Sequence, residues 1–311
     1  MSTPSLSRYA IGWKSVAALV VLAVLLVLPE FLGRYDLFLA NTILILSIFG
    51  VAFNLAFGFG ELPAFGHAAF YGLGAYGVAI TLQYTPESMA IPILAAIALA
   101  FLYGVLVSVV SVQGGGIYFA LLTFAFGQLL YELFFRLDIT GGSNGLILSV
   151  PEGWEVLGKI GTVYYLSVAG LLLILLFGWR LLRSPFGKAM LAVAHNENRA
   201  RSIGYPVTRI KIVLFVLTAT LASLAGILYV FNNHFVSADI LYYNKSVEAI
   251  IVATIGGTTS LLGPVVGAIF YIGTTELTSQ YANLGIMLVG TIFIIVVLAF
   301  PNGIMGLFDR E

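Results

Sequence analysis

Runs of about twenty apolar residues recur along almost the whole chain, and they constrain its fold more than any other feature. A helix needs roughly 20 such residues to cross the hydrocarbon core of a bilayer. The chain has 311 residues, 60% of them hydrophobic and only 9% charged, whereas a soluble domain carries about 25% charged residues. That leaves too little polar surface to clothe a water-facing globule. The fold class is therefore an all-α polytopic membrane protein, a single transmembrane domain over residues 1–311.

The runs predict eight to ten membrane helices. The first covers about 15–32; it ends in Pro29-Glu30 without a small-residue cleavage signature, so it reads as a retained span rather than a signal peptide. Further spans fall at about 37–57, 66–83, 91–112, 117–135, 163–182 and 210–231. The last apolar region, 247–300, is too long for one span and divides into a short eighth helix, a ninth and a tenth. A polar segment at 136–162 and an aromatic, polar one at 232–246 lie between spans.

Charge fixes the expected orientation. The stretch Arg180 to Lys211 holds seven of the 14 Lys and Arg residues, opposed only by Glu197. If this loop is cytoplasmic, the inner segments collect ten cations, counting Arg8, Lys14 and Arg310. The outer ones collect four: Arg34, Arg136, Lys159 and Lys245. That asymmetry obeys the positive-inside rule. A helix over about Ala192–Ile203, bounded by Pro185 and Pro206, is predicted within the loop.

Two segments interrupt their helices: Gly58 to His67, and Gly256 to Pro264. Broken backbone persists in a membrane only where protein buries it or a watery cavity meets it, and paired breaks point to a transport pathway. The alternative is ordinary turn chemistry at the membrane face. Glu61, His67, Glu132, Glu248 and Glu276 lie in or near apolar runs, where an ionisable group is a functional candidate. Glu61 and His67 sit inside a break and serve equally well as helix caps. Small residues crowd two spans (Gly72, Gly74, Ala75 and Gly77; Ala219, Ala222, Ala225 and Gly226), as expected for close helix packing.

Much chemistry is excluded. With no cysteine there is no disulfide, thiolate-metal or cysteine-nucleophile chemistry. No phosphate-binding GxxxxGK[ST] loop occurs, so ATP binding by this chain is not expected. Three scattered histidines make no metal cluster. Nothing points to nucleic acid.

Four blocks, in order, carry a family resemblance: GELPAFGHAAFYGLGAYG (60–77), GIYFALLTFAFGQ (116–128) with TGGSNGL (140–146), SPFGKAMLAVAHNENRARSIGYPVTRIK (184–211), and SVEAIIVATIGGTTSLLGPVVGA (246–268). Together they resemble the branched-chain amino acid ABC importer permeases, the longer of the two paired permeases. The first block departs from the family pattern, with Glu61 where an amide is common and Pro63 where a serine is common. The resemblance implies a homologous second permease, two cytoplasmic ATPase subunits that use the ATP, and an external substrate-binding protein, in a multi-pass inner-membrane assembly surrounded by lipid. It implies that 184–211 is a coupling loop docking on an ATPase through Gly187, His195, Glu197, Arg199 and Gly204. The alternative for this loop is attraction to anionic headgroups. It also implies a pathway lined by Glu61, His67, Thr123, Gln128, Thr258, Thr259 and Ser260, with 136–162 as the outer docking surface. Rival readings are a urea or short-amide permease on the same scaffold, and a stand-alone secondary transporter or channel.

Overall fold

The computed structural model describes residues 25–85, 87–114, 116–279, 285–300 and 302–307. Most of the expected first span, 15–32, lies outside these residues. Eleven helices occur among them: α1 (Arg34–Phe57), α2 (His67–Tyr84), α3 (Ala90–Ser111), α4 (Gly116–Arg136), α5 (Ile160–Arg183), α6 (Pro185–His195), α7 (Glu197–Ser202), α8 (Val207–Asn233), α9 (Tyr243–Gly256), α10 (Gly263–Ser279) and α11 (Gly285–Ala299). The chain is thus an all-α polytopic membrane protein.

Helix length divides the expected spans into two kinds. Helices α1, α3, α4, α5 and α8 are long and apolar enough to cross a membrane. Helices α2, α9, α10 and α11 have 18, 14, 17 and 15 residues. At 1.5 Å per residue, α9 reaches only about 21 Å, against a core of about 30 Å.

Helix α2 is buried on every side from His67 to Ala79. A helix apolar all round belongs in the middle of a bundle, and glycine lets its neighbours close on it there. A Cβ at Gly74 would lie 2.1 Å from the Ser223 carbonyl oxygen of α8, and one at Gly226 of α8 would lie 1.8 Å from that of Tyr71. At Gly77 it would meet the Ala96 backbone of α3 at 2.6 Å. The small-residue runs therefore place backbone against backbone, as expected for helices packing without a hydrophobic driving force.

Helices α9 and α10 form a hairpin through the same device. A Cβ at Gly267 would sit 1.9 Å from the Val252 carbonyl oxygen, and one at Gly256 would sit 1.7 Å from that of Gly263. Helix α5 runs alongside α1, with Gly170 against Ile48 and Gly178 near Leu55. At its start, buried Asn41 donates to the Ile160 carbonyl at 3.2 Å.

At the end of the bundle away from the basic loop, the polar segment 137–159 is ordered by short turns. Gly141, Gly142 and Gly145 take φ of 74°, 53° and 69°, a region that costs L-residues strain. The segment then pairs as a two-residue strand β1 (Leu146–Ile147) with β2 (Phe235–Val236), antiparallel, Leu146 opposite Val236.

The glycine contacts make a direct prediction. Gly226→Ala forces a methyl group onto a backbone oxygen and should destabilise the chain by about 1–3 kcal/mol or more. Thermal unfolding in detergent measures this. Gly161→Ala, where nothing lies within 4 Å, should be neutral or slightly stabilising.

Candidate functional site

The structure brings the two glycine breaks together. One turn before the first break, buried Asn54 donates through Nδ2 to the Ser260 carbonyl at 3.1 Å. A Cβ at Gly58 would lie 2.3 Å from the Thr258 carbonyl oxygen, so the mouths of the two breaks touch. Asn302 and Gly303 close over the second break, the Asn302 carbonyl oxygen 2.8 Å from where a Gly257 Cβ would stand.

The other end of the first break rests on α4, where a Gly66 Cβ would lie 2.0 Å from the Thr123 carbonyl oxygen. Helix α2 therefore starts inside the bundle, with N–H groups that need partners. Ser246, in the first turn of α9, accepts from the Ala68 N–H at 2.8 Å. It acts as a cap supplied from 178 residues away in sequence.

The expected pathway residues are dispersed. Thr258 and Ser260 are half-buried at the junction of the breaks, and Thr259 is exposed. Thr123 is buried and donates to the Ala120 carbonyl of its own helix at 2.9 Å. Gln128 is half-buried on α4. Glu61 is exposed and holds a left-handed φ of 49°. His67 is fully buried, edge-on to Phe53, Phe70 and Phe215 at 5.4, 5.7 and 5.5 Å. Among the described residues neither ring nitrogen has a hydrogen-bond partner. In this conformation His67 is an aromatic core residue. Asn54 and Ser246, which tie the breaks together, were missed by sequence reasoning; the signal for Asn54 was an amide inside an apolar run.

Other ionisable groups in or near the apolar runs have partners. Glu132 pairs with Arg136, Glu248 with Lys245 at 2.7 Å, and Glu276 accepts from the Tyr35 hydroxyl at 2.7 Å. Among the described residues, no cluster of three His, Asp or Glu is placed to hold a metal. Residues 141–145 spell Gly-x-Ser-x-Gly, but Ser143 lies in a 3-10 turn rather than on the strand-to-helix elbow that exposes a nucleophile.

The basic loop folds into a compact corner. Pro185 opens α6, whose cap is Ser184; its Oγ accepts from the Gly187 N–H at 3.0 Å. Gly187 is pressed on the end of α5, a Cβ there falling 2.0 Å from the Leu181 carbonyl oxygen. Met190 and Val193 bury the inner face of α6.

The single helix expected over 192–203 is not formed. Asn196 is extended (φ −161°, ψ 96°) and its side chain accepts from the Arg199 N–H at 2.9 Å, ending α6 and capping α7. Asparagine competes for backbone hydrogen bonds in this way, which makes it a cap rather than a mid-helix residue. Helix α7 closes in a Schellman turn, with Tyr205 N–H on the Ala200 carbonyl and Gly204 N–H on that of Arg201. Gly204 takes φ +93° with open space where a Cβ would be, so the backbone angle demands glycine here, not crowding.

Glu197 clasps the corner to the bundle. It accepts from Arg201 at 3.0 Å and from Lys211 of α8 at 2.5 Å, while Lys188, His195, Arg199 and Arg209 are exposed. The Lys211 hydrogen bond, helped by Arg201, holds the Glu197 carboxyl below its ordinary value of 4.5. A depressed carboxyl stabilises the fold above its unfolded pKa, and that contribution is lost as pH falls through the folded value.

Two outcomes follow. Hydrogen exchange of the α7 amides, corrected for intrinsic rate, should be flat from pH 8 to 5 and speed up several-fold below about 4.5. The size is limited because the Glu197 side chain is 38% exposed and screened pairs contribute roughly 0–1 kcal/mol; Lys211→Met should remove most of the pH dependence. Ser246→Ala orphans the Ala68 donor and should cost about 1–3 kcal/mol in thermal unfolding.

Comparison with known proteins agrees with this architecture. The family model described as branched-chain amino acid transport system / permease component matches residues 36–297. The high-affinity branched-chain amino acid transport system permease protein LivM of Escherichia coli is 28% identical, covering 98% of this chain and 79% of its own. A probable branched-chain amino acid transport permease protein LivM of Methanocaldococcus jannaschii is 25% identical over 55% of this chain and 54% of its own. The autoinducer 2 import system permease protein LsrC of Klebsiella pneumoniae is 34% identical over 39% of this chain and 32% of its own. No solved structure is significantly similar. The chain belongs to the branched-chain amino acid transport system permease family.

Proposed function

We propose that this chain is the membrane-spanning permease subunit of an ATP-driven importer for branched-chain or related small amino acids. One observation carries the coupling part of this reading. The basic segment is a braced α6–α7 corner with its cations turned outward, which suits docking on a protein groove better than loose attraction to headgroups. Family membership and the names of the two LivM relatives support the cargo class.

In this reading a homologous second permease completes the transmembrane unit. Two ATPase subunits sit beneath the corner, and an external binding protein meets segment 137–159. The chain itself binds no cofactor and performs no hydrolysis; ATP is consumed by the partner subunits. The corner faces the cytoplasm by the positive-inside rule, in a bacterial or archaeal inner membrane. Helix α6 packs on the end of α5 at Gly187, so a push on the corner is delivered to α5 and, through the Glu197–Lys211 pair, to α8.

Reconstitution tests it. Liposomes holding the full assembly should accumulate leucine only with ATP, and Arg199→Glu should lower uptake at least ten-fold while leaving membrane insertion intact. Gly204→Ala, which meets roughly 1–2 kcal/mol of left-handed strain, should lower it less, and Gly204→Asn least. Uptake by the chain alone, without ATPase subunits, would sink the reading.

A further inference from the structure

A cavity of about 170 Å³ lies between α1, α2, α8, α9 and α10, and the breaks and corner do not account for it. It has more than ten times the ~10–15 Å³ that one water needs. Its polar lining sorts by elimination. Thr42, Thr275 and Asn233 each donate within their own helices, to the Phe38, Tyr271 and Tyr229 carbonyls. That leaves Lys245, Glu248, Asn232 and the phenols of Tyr71, Tyr229 and Tyr271.

Three observations mark these residues as a binding site. Lys245 lies in the first turn of α9, where a cation opposes the helix dipole, a cost that its i,i+3 pair with Glu248 offsets only in part. Its ammonium donates to Glu248 at 2.7 Å with side chains 30% and 23% exposed, presenting both signs of charge at one wall. Asn232 is only 7% exposed, yet among the described residues neither its amide oxygen nor its nitrogen has a partner. A buried amide unsatisfied at both ends is a cost that needs an explanation.

We propose that this cavity binds a small zwitterion, its carboxylate on Lys245 and its ammonium on Glu248, with the Asn232 amide sharing in the hydrogen bonds of those two charged groups. The zwitterion exchanges one ion pair for two and leaves no charge unopposed, whereas a simple acid or amine strands one member of the pair. Ile45, Leu46, Phe49 and Ile272 form the rest of the wall and suit an apolar side chain. Asn232 also lines a second cavity of about 450 Å³, with Arg34, Tyr35, Gly158 and His234 at the end away from the basic corner. The site therefore adjoins the side from which an importer receives its solute. The choice of amino acid as ligand rests on the transport reading above; the requirement for both charges does not.

The test is equilibrium binding of radiolabelled leucine to the full chain in lipid nanodiscs. One site per chain is expected, with 4-methylpentanoate and 3-methylbutylamine, which each carry one of leucine's two charges, competing at least ten-fold more weakly. Glu248→Gln should weaken leucine at least ten-fold and abolish its preference over 4-methylpentanoate; Lys245→Gln should do the same against the amine. Wild-type chain that binds no leucine, or fails to prefer it over both analogues, overturns the proposal even if the variants do not fold. So does unchanged binding in both folded variants. ATP-driven uptake by the whole assembly separates the two readings. Intact uptake without binding removes the site alone, while binding without ATP-driven uptake removes the importer reading alone.

Discussion

Everything in this bundle depends on how closely α2 can be approached. Its backbone touches that of α8 at Gly74 and Gly226 and that of α3 at Gly77. In water such contacts would be one contribution beside a large hydrophobic term; between membrane helices, where lipid is as apolar as leucine, dispersion and geometry supply the association. Of the helices long enough to span, α3, α4 and α8 pack on this helix, which starts within the bundle, while α5 packs on α1 and α8.

Starting a helix there creates a debt of unsatisfied amides that no solvent can settle. The chain meets it with side chains from remote segments. Ser246 reaches back to Ala68, and Asn54 reaches forward to Ser260. These bonds join the two breaks to one another and to α9, so the irregular backbone forms one connected region. Around it Phe53, Phe70 and Phe215 enclose His67 and exclude water from its ring.

The parts legible in sequence were those governed by local rules. Apolar run length placed α1, α3, α4, α5 and α8 within a few residues, because crossing a bilayer sets a minimum length. Glycine clusters marked both breaks and the α2–α8 seam. The corner was legible as charge but not as shape. An unbroken helix through 192–203 ignored Asn196, whose side chain makes a cap a better solution than another helical turn. Asn54, Ser246 and Asn232 escaped notice, and Lys245 was read only as an outer cation, because their importance comes from neighbours brought together only by folding. Asn54 and Ser246 have partners 206 and 178 residues away. Glu61 was read as a pathway candidate or a helix cap inside the first break; it is exposed, with a left-handed φ of 49°.

The two-residue ribbon of β1 and β2 has a mechanical consequence. Segment 137–159 is hydrogen-bonded through Leu146 and Leu148 to residues 234–236, and those residues lead through a single 3-10 turn, Ala238–Leu241, into α9. The surface segment, the ribbon and the α9–α10 hairpin are thus linked in series, like the handle, shaft and blade of a tool. Only that one turn separates the handle from the hairpin whose tip touches α1 at Asn54 and Gly58, which leaves little slack between them.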